Sequence, residues 1–281
     1  MAGASADDST DEAVISVVTY LWRGNRSFLP GYVNALARMV GRYLPVPHRF
    51  ICITDYPNEG FSAEVEYMAM PAAARTAGKT VTPEKEHFPS SYPRLWTFSE
   101  EARVLGERVL VLDIDCVIVN DMTPLFRLDH DFVGWNVRPP KGCPPRLGGG
   151  TWMLRTGTRQ AVWQRFMDNP QAAINAARGA GYRGSDQAWM SYCLKDEPRW
   201  PEPSGIYCAQ DFLKPSQTAV RRPLFSKLGR RLRGQYRMVY PVLKVPKHAI
   251  LLHYNGSDDR KPWTSNDVIV REHWQPFFEA A

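Results

Sequence analysis

Two aspartates, Asp113 and Asp115, interrupt an apolar run over residues 108–119, Arg-Val-Leu-Val-Leu-Asp-Ile-Asp-Cys-Val-Ile-Val. The run reads as a buried strand of a parallel sheet, with β-branched residues and Leu on both faces. Carboxylates are rarely buried without a partner charge or a metal, so two at one place require a cation. At i and i+2 of a strand, both side chains point to one face. In open α/β sheets ligands bind at the carboxyl ends of the strands. Two hard oxygen donors suit Mg²⁺ or Mn²⁺, which commonly bring a phosphorylated substrate with them. A solvated turn would explain an isolated Asp-x-Asp, but not flanks this apolar. A phosphatase-type loop, whose first Asp is a nucleophile, has the same local pattern, so the choice falls to a second element.

That element is residues 253–263, His-Tyr-Asn-Gly-Ser-Asp-Asp-Arg-Lys-Pro-Trp, which follow the short apolar strand 249–252. A neutral imidazole on His253 is a good third ligand for Mn²⁺ beside two carboxylates. Gly256 lets backbone approach a phosphate closely, and Lys261 offers a point charge to a diphosphate. Pro262 and Trp263 stiffen and wall the segment.

The pair of motifs resembles the metal-dependent GT-A glycosyltransferases, and looks most like the retaining glycogenin and galactosyltransferase-like family (family 8-like). The C-terminal motif of that family is H-x-x-G-x-x-K-P-W, and this chain has two extra residues between Gly256 and Lys261. The resemblance implies an α/β fold, a single GT-A domain with a Rossmann-like, mostly parallel central sheet flanked by helices. It implies a nucleotide-diphosphate sugar donor, with UDP-sugar favoured, and Mn²⁺ or Mg²⁺ held by Asp113, Asp115 and His253. Transfer to a glycan, glycolipid or other acceptor with retention of anomeric configuration is the implied reaction, the leaving phosphate helping to take the acceptor proton.

The elements that must position these residues follow in order. Residues 14–19 read as the first strand, residues 32–43 as a helix and residues 50–53 as the second strand, a β-α-β opening suited to nucleotide binding. No Gly-x-Gly-x-x-Gly follows the first strand, which argues against a dinucleotide fold. The resemblance puts the base and ribose in the loop after that strand, and so implies donor contacts for Thr19, Tyr20 and, more weakly, Asp55. Residues 71–91 lack periodicity and read as a long loop. Residues 92–98 open a helix leading into the Asp-x-Asp strand, and the resemblance puts Arg94 close to the donor. Residues 139–150 read as a Pro/Gly-rich loop before a strand at 151–155. Gly148, Gly149 and Gly150 stand where the resembling family has Asn-Ser-Gly, so an amide contact to the sugar is missing at Gly148 while Gly150 keeps the close approach. Residues 159–167 form a structural helix with core spacing. Asp186 and Gln187 match the family's Asp-Gln, which faces the anomeric carbon and the sugar hydroxyls; a capping role for Ser185 or Asp186 is the plainer reading. A last helix spans residues 266–274, capped by Ser265 or Asn266.

Composition sets the outer bounds. With 281 residues and 44% hydrophobic content, the chain can bury a substantial core, and no stretch approaches the length of a membrane span. Residues 1–12 are acidic and small, without the apolar segment of a secretory signal, and read as a disordered tail before a domain at 13–281. The five cysteines form no C-x-x-C pair, which fits a reducing compartment with neither disulfides nor zinc; the expected location is cytoplasmic. Residues 221–237 carry seven basic and no acidic side chains, and the whole chain carries +6, so the remainder carries −1. With apolar residues interleaved, this segment suits an acidic acceptor or the anionic inner face of a membrane. The expected partners are the nucleotide-sugar donor and an unidentified glycan or lipid-linked acceptor; nucleic acid is not expected. Two other classes share some of these features. A sugar-nucleotide nucleotidyltransferase would carry a Gly-rich basic loop after the first strand, where only Arg23-Gly24 stands. A non-enzymatic module would bind nucleic acid or membrane through 221–237, with a decayed metal site.

Overall fold

Alternation along the first two interior strands puts a sheet between two apolar layers. The computed structural model describes residues 15–23, 28–80, 91–139, 141–212, 245–255, 261–265 and 267–279. In it β1 (Ile15–Leu21) sends Val17 and Leu21 into one core and Val18 and Tyr20 into the other. Tyr20 thus lies inside the strand and not in the loop expected after residue 19. Helix α1 (Pro30–Tyr43) returns the chain to β2 (His48–Thr54), with Pro30 at its start, where a missing N–H is harmless. The sheet continues with β3 (Glu66–Ala69), β4 (Arg108–Leu112), β6 (Phe132–Val137) and β7 (Arg146–Arg155). Its order is β3-β2-β1-β4-β7-β6, parallel through β3, β2, β1 and β4, then antiparallel at β4–β7 and β6–β7. The expected mostly parallel, helix-flanked sheet is present.

A second, three-stranded sheet joins β5 (Cys116–Ile118), β9 (Leu251–His253) and β8 (Ile206–Cys208), with β9 in the middle. The apolar run 108–119 is therefore two strands in two sheets, and not one strand. Asp113, Ile114 and Asp115 form the turn between them, where Cys116 N–H donates to the Asp113 carbonyl at 3.3 Å. The i, i+2 argument for a shared strand face does not apply; what brings the carboxylates together is the junction of two sheets.

Four other expectations are corrected. Residues 71–91 are not one loop: Ala72–Gly78 form helix α2, with Ala74 and Ala77 buried. Three successive alanines favour helix without producing an apolar period. The segment 92–98 is a 3₁₀ helix, followed by a second at Glu100–Leu105. The glycines 148–150, read as loop, lie within the ten-residue strand β7. Neighbouring side chains explain them: a Cβ on Gly148 would sit 2.2 Å from the Trp135 ring, and one on Gly149 would sit 3.0 Å from Gln187 Cβ. At the C-terminus, Asp267 caps the helix Val268–His273 by accepting from Val270 N–H at 3.0 Å. Ser265 only supports that cap by donating to Asp267. The helix expected at 159–167 is α3 (Ala161–Asp168), and α4 (Pro170–Gly179) follows it.

The tail 1–12, Gly256, Asn266 and the basic segment 221–237 lie outside the described residues. Among the described residues no helix is long and apolar enough to cross a membrane.

Gly148→Ala tests the strand assignment. Its methyl group must displace the buried Trp135 indole, which predicts a loss of about 1–3 kcal/mol, read as a lower urea midpoint. An unchanged midpoint would contradict the packing described.

Candidate active site

Strand pairing brings the polar residues to one end of the main sheet. Leu112 of β4 pairs with Thr151 of β7, so Asp113 leaves the strand beside Gly150, whose carbonyl accepts from Asp113 N–H at 2.9 Å. In the small sheet Cys116 pairs with His253, and Tyr254 N–H donates to the Asp115 carbonyl at 2.9 Å. Asp113 and Asp115 are thus held from one side by β7 and from the other by β9. Gly150 has no alternative: a Cβ there would lie 2.7 Å from His253 Cε1, 2.8 Å from Nδ1 and 3.0 Å from Asp113 Oδ2. The imidazole and the carboxylate converge on the space a side chain would fill.

Two cations reach into this space. Arg94, from the 3₁₀ helix Tyr92–Phe98, pairs with Asp113 through Nη1 and with Asp186 through Nε at 2.8 Å and Nη2 at 2.7 Å. Its guanidinium also lies 5.7 Å from the centre of the Trp152 ring. Burial alone would lower the Arg94 pKa, but the Asp113 and Asp186 carboxylates overcome it and hold the guanidinium above its ordinary value. Lys261 Nζ pairs with Asp115 Oδ2. The two extra residues after Gly256 therefore do not keep Lys261 from the cluster. Trp263 anchors this segment by stacking on Tyr32, with ring centres 4.1 Å apart, and by an edge contact with Phe28.

The acids differ in burial. Asp186, in the first turn of α5 (Asp186–Cys193), is 1% exposed. Burial raises its pKa against the opposing Arg94 charge, and its Oδ1 accepts from Ser185 Oγ at 2.9 Å. Asp186 thus stands behind Arg94 rather than open to a ligand, and Ser185 caps no backbone amide with its side chain. Asp115 is also raised by burial, with Lys261 opposing. Asp113 is the most open of the three, its side chain 30% exposed. Gln187 donates to the Leu147 carbonyl at 2.5 Å and lies along Gly149.

His253 is fully buried, and burial pushes its pKa down to about 4, so the ring is neutral near pH 7. Its Nε2 is 2.6 Å from Thr151 Oγ1, while its Nδ1 has no hydrogen-bond partner. Asp115 Oδ1 is likewise buried and unpartnered. Among the described residues no three His, Cys, Asp or Glu side chains already stand together in metal-coordinating geometry, and Arg94 and Lys261 pair with the carboxylates. The donor set, two carboxylates and a neutral imidazole with two orphaned atoms, still fits a Mn²⁺ or Mg²⁺ ion chemically.

Of the other sequence candidates, Thr19 and Tyr20 are not in the cluster. Thr19 Oγ1 donates to the Leu112 carbonyl at 2.8 Å, and the Tyr20 hydroxyl pairs with Thr97 at 2.7 Å. Both hydroxyls serve the fold. Asp55 accepts from Arg23 N–H at 2.8 Å on the surface. Trp135, stacked on His253 with ring centres 4.7 Å apart, and Thr151 were not singled out from sequence. Thr151 is the one polar side chain in Leu147–Leu154, a signal available in principle. Trp135 gives none.

No protein-family model matches the chain, and no curated protein matches it in sequence. Solved structures match its fold. One is the galactosyltransferase LgtC in complex with donor and acceptor sugar analogues: TM-score 0.61, 15% identity, 94% of this chain and 95% of that one. An active-site mutant of LgtC matches at TM-score 0.57 and 16% identity, covering 88% and 89%. The glycosyltransferase GlyE from Streptococcus pneumoniae matches at TM-score 0.54 and 16% identity, over 95% of this chain and 63% of that one. The fold is that of the GT-A glycosyltransferases.

Arg94→Leu tests the charge cluster. Removing the cation leaves Asp186 buried and unpaired, which predicts a loss of about 3–5 kcal/mol in denaturant unfolding. Arg94→Lys recovers only part, because a point charge cannot bridge two carboxylates as a planar guanidinium does.

Proposed function

We propose that the protein is a metal-dependent glycosyltransferase that moves a sugar from a nucleotide-diphosphate donor, with a UDP-sugar favoured, to a glycan, glycolipid or other acceptor. The observation that carries this reading is the convergence of Asp113, Asp115, His253, Arg94 and Lys261 where the two sheets of a GT-A fold meet. Asp113, Asp115 and His253 would hold Mn²⁺ or Mg²⁺, which when bound neutralises diphosphate charge. The chain's own residues supply the rest. Lys261 turns its ammonium from Asp115 to the diphosphate and offsets charge that grows as the nucleoside diphosphate departs. Arg94, paired with Asp186, offsets the mutual repulsion of Asp113 and Asp186 and keeps both carboxylates at the site. Gln187, with Asp186 behind it, lines the sugar-facing side.

Transfer with retention breaks the bond from the anomeric carbon to the diphosphate oxygen and forms one to the acceptor oxygen on the same face. The acceptor proton passes to the departing phosphate, so no separate carboxylate base is required. The fold likeness to LgtC, a galactosyltransferase solved with donor and acceptor sugar analogues, supports sugar transfer; retention is inferred from the C-terminal motif. The basic segment 221–237 is assigned to the acceptor or to a membrane surface on its charge alone.

The test is a panel of nucleotide sugars incubated with the pure protein, with and without Mn²⁺, following release of nucleoside diphosphate. The expected result is metal-dependent release from a UDP-sugar that Asp115→Asn reduces to background. Release that ignores both the metal and Asp115 would overturn the reading. Lys261→Met has opposite expected effects in two titrations. It removes the charge competing for Asp115, so Mn²⁺ alone binds about tenfold more tightly, while UDP in the presence of Mn²⁺ binds about tenfold more weakly.

A further inference from the structure

The side chains around His253 do more than bury it. Thr151 is fully buried, lies in β7 opposite Leu112, and presents Oγ1 to His253 Nε2 at 2.6 Å. A β-branched side chain on an interior strand has little χ1 freedom, so the oxygen stays in place. Trp135 covers the ring face, 4.7 Å away and within 18° of parallel, and Gly148 leaves the room its indole needs. The stack fixes the plane of the imidazole, and the Thr151 contact fixes its rotation within that plane. What is left over is Nδ1, buried, unpartnered, and within 3.0 Å of the same point as Asp113 Oδ2.

A neutral imidazole has one N–H and one lone pair, and the hydrogen bond on one nitrogen decides which role the other takes. We propose that Thr151 is a positioning residue for the metal site: its hydroxyl oxygen accepts from His253 Nε2–H and so commits the Nδ1 lone pair to the cation shared with Asp113 and Asp115. A hydroxyl suits this position better than a carbonyl, because it can also donate to Nε2 when no cation is present. Nε2 then keeps its partner in either tautomer. Partners of this kind on a ligating histidine commonly contribute 10–100-fold in metal affinity. The inference rests on the metal reading above and adds to it the residues that set the ligand atom.

The experiment measures Mn²⁺ affinity by electron paramagnetic resonance of the free ion, with no sugar donor present. Thr151→Val keeps the shape and removes the hydroxyl, and is expected to weaken Mn²⁺ about 10–100-fold. Thr151→Ser restores most of the affinity. In the unsubstituted protein loaded with Mg²⁺, long-range ¹H–¹⁵N NMR of His253 is expected to show Nε2 protonated and Nδ1 unprotonated, a readout independent of how any variant folds. Equal affinity for the Val variant, or a protonated Nδ1 in the loaded protein, overturns the assignment of Thr151. An unsubstituted protein that binds no Mn²⁺ defeats the metal reading itself, and is distinct from both outcomes.

Discussion

Three buried or half-buried carboxylates within reach of one arginine are the constraint on which the rest of this structure depends. Asp113, Asp115 and Asp186 repel one another, and removing ionised carboxyl groups from water is unfavourable by several kcal/mol each. Arg94 ties two of them together and Lys261 neutralises the third. Each cation comes from a distant part of the sequence, so the carboxylates lack partner cations until the 3₁₀ helix, the turn between the sheets, α5 and the C-terminal segment are all in place.

The two sheets give the carboxylates a fixed frame. Asp113 hangs from the Gly150 carbonyl of β7, and Asp115 from Tyr254 N–H after β9. A carboxylate pair in a turn between two rigid sheets is held more tightly than one on a free loop, yet its side chains are not locked into a strand pleat. Glycine at 150 is the geometric condition for this, because any side chain there would occupy the space between Asp113 and His253. Gly148 serves the same region at one remove by admitting Trp135, which stacks on His253.

The chemistry was legible because it consists of polar residues in apolar surroundings. Asp113, Asp115 and His253 interrupt or end apolar runs, and polar groups buried there need partners, which Arg94, Lys261 and Thr151 supply. Lys261 and Arg94 followed from their places in the motifs. The sequence does not show where a continuous apolar run divides, since residues 108–119 keep the same character through a change of sheet. It does not distinguish a glycine loop from a glycine strand, because the reason for Gly148–Gly150 lies in Trp135, Gln187 and His253, all distant in the chain. The alanine-rich α2 lacks the strongly apolar stripe that marks a helix in advance. Thr19 and Tyr20 show the opposite limit: their polar ends looked available and are consumed by Leu112 and Thr97.

The central claim is that Asp113, Asp115 and His253 form a cation-dependent site for a nucleoside diphosphate. Calorimetric titration of UDP into the protein, in Mn²⁺ and again in excess EDTA, tests it most directly. The account predicts saturable binding in Mn²⁺ that EDTA abolishes and that His253→Ala weakens severely. Binding of equal strength in EDTA, or none in either buffer, would contradict it.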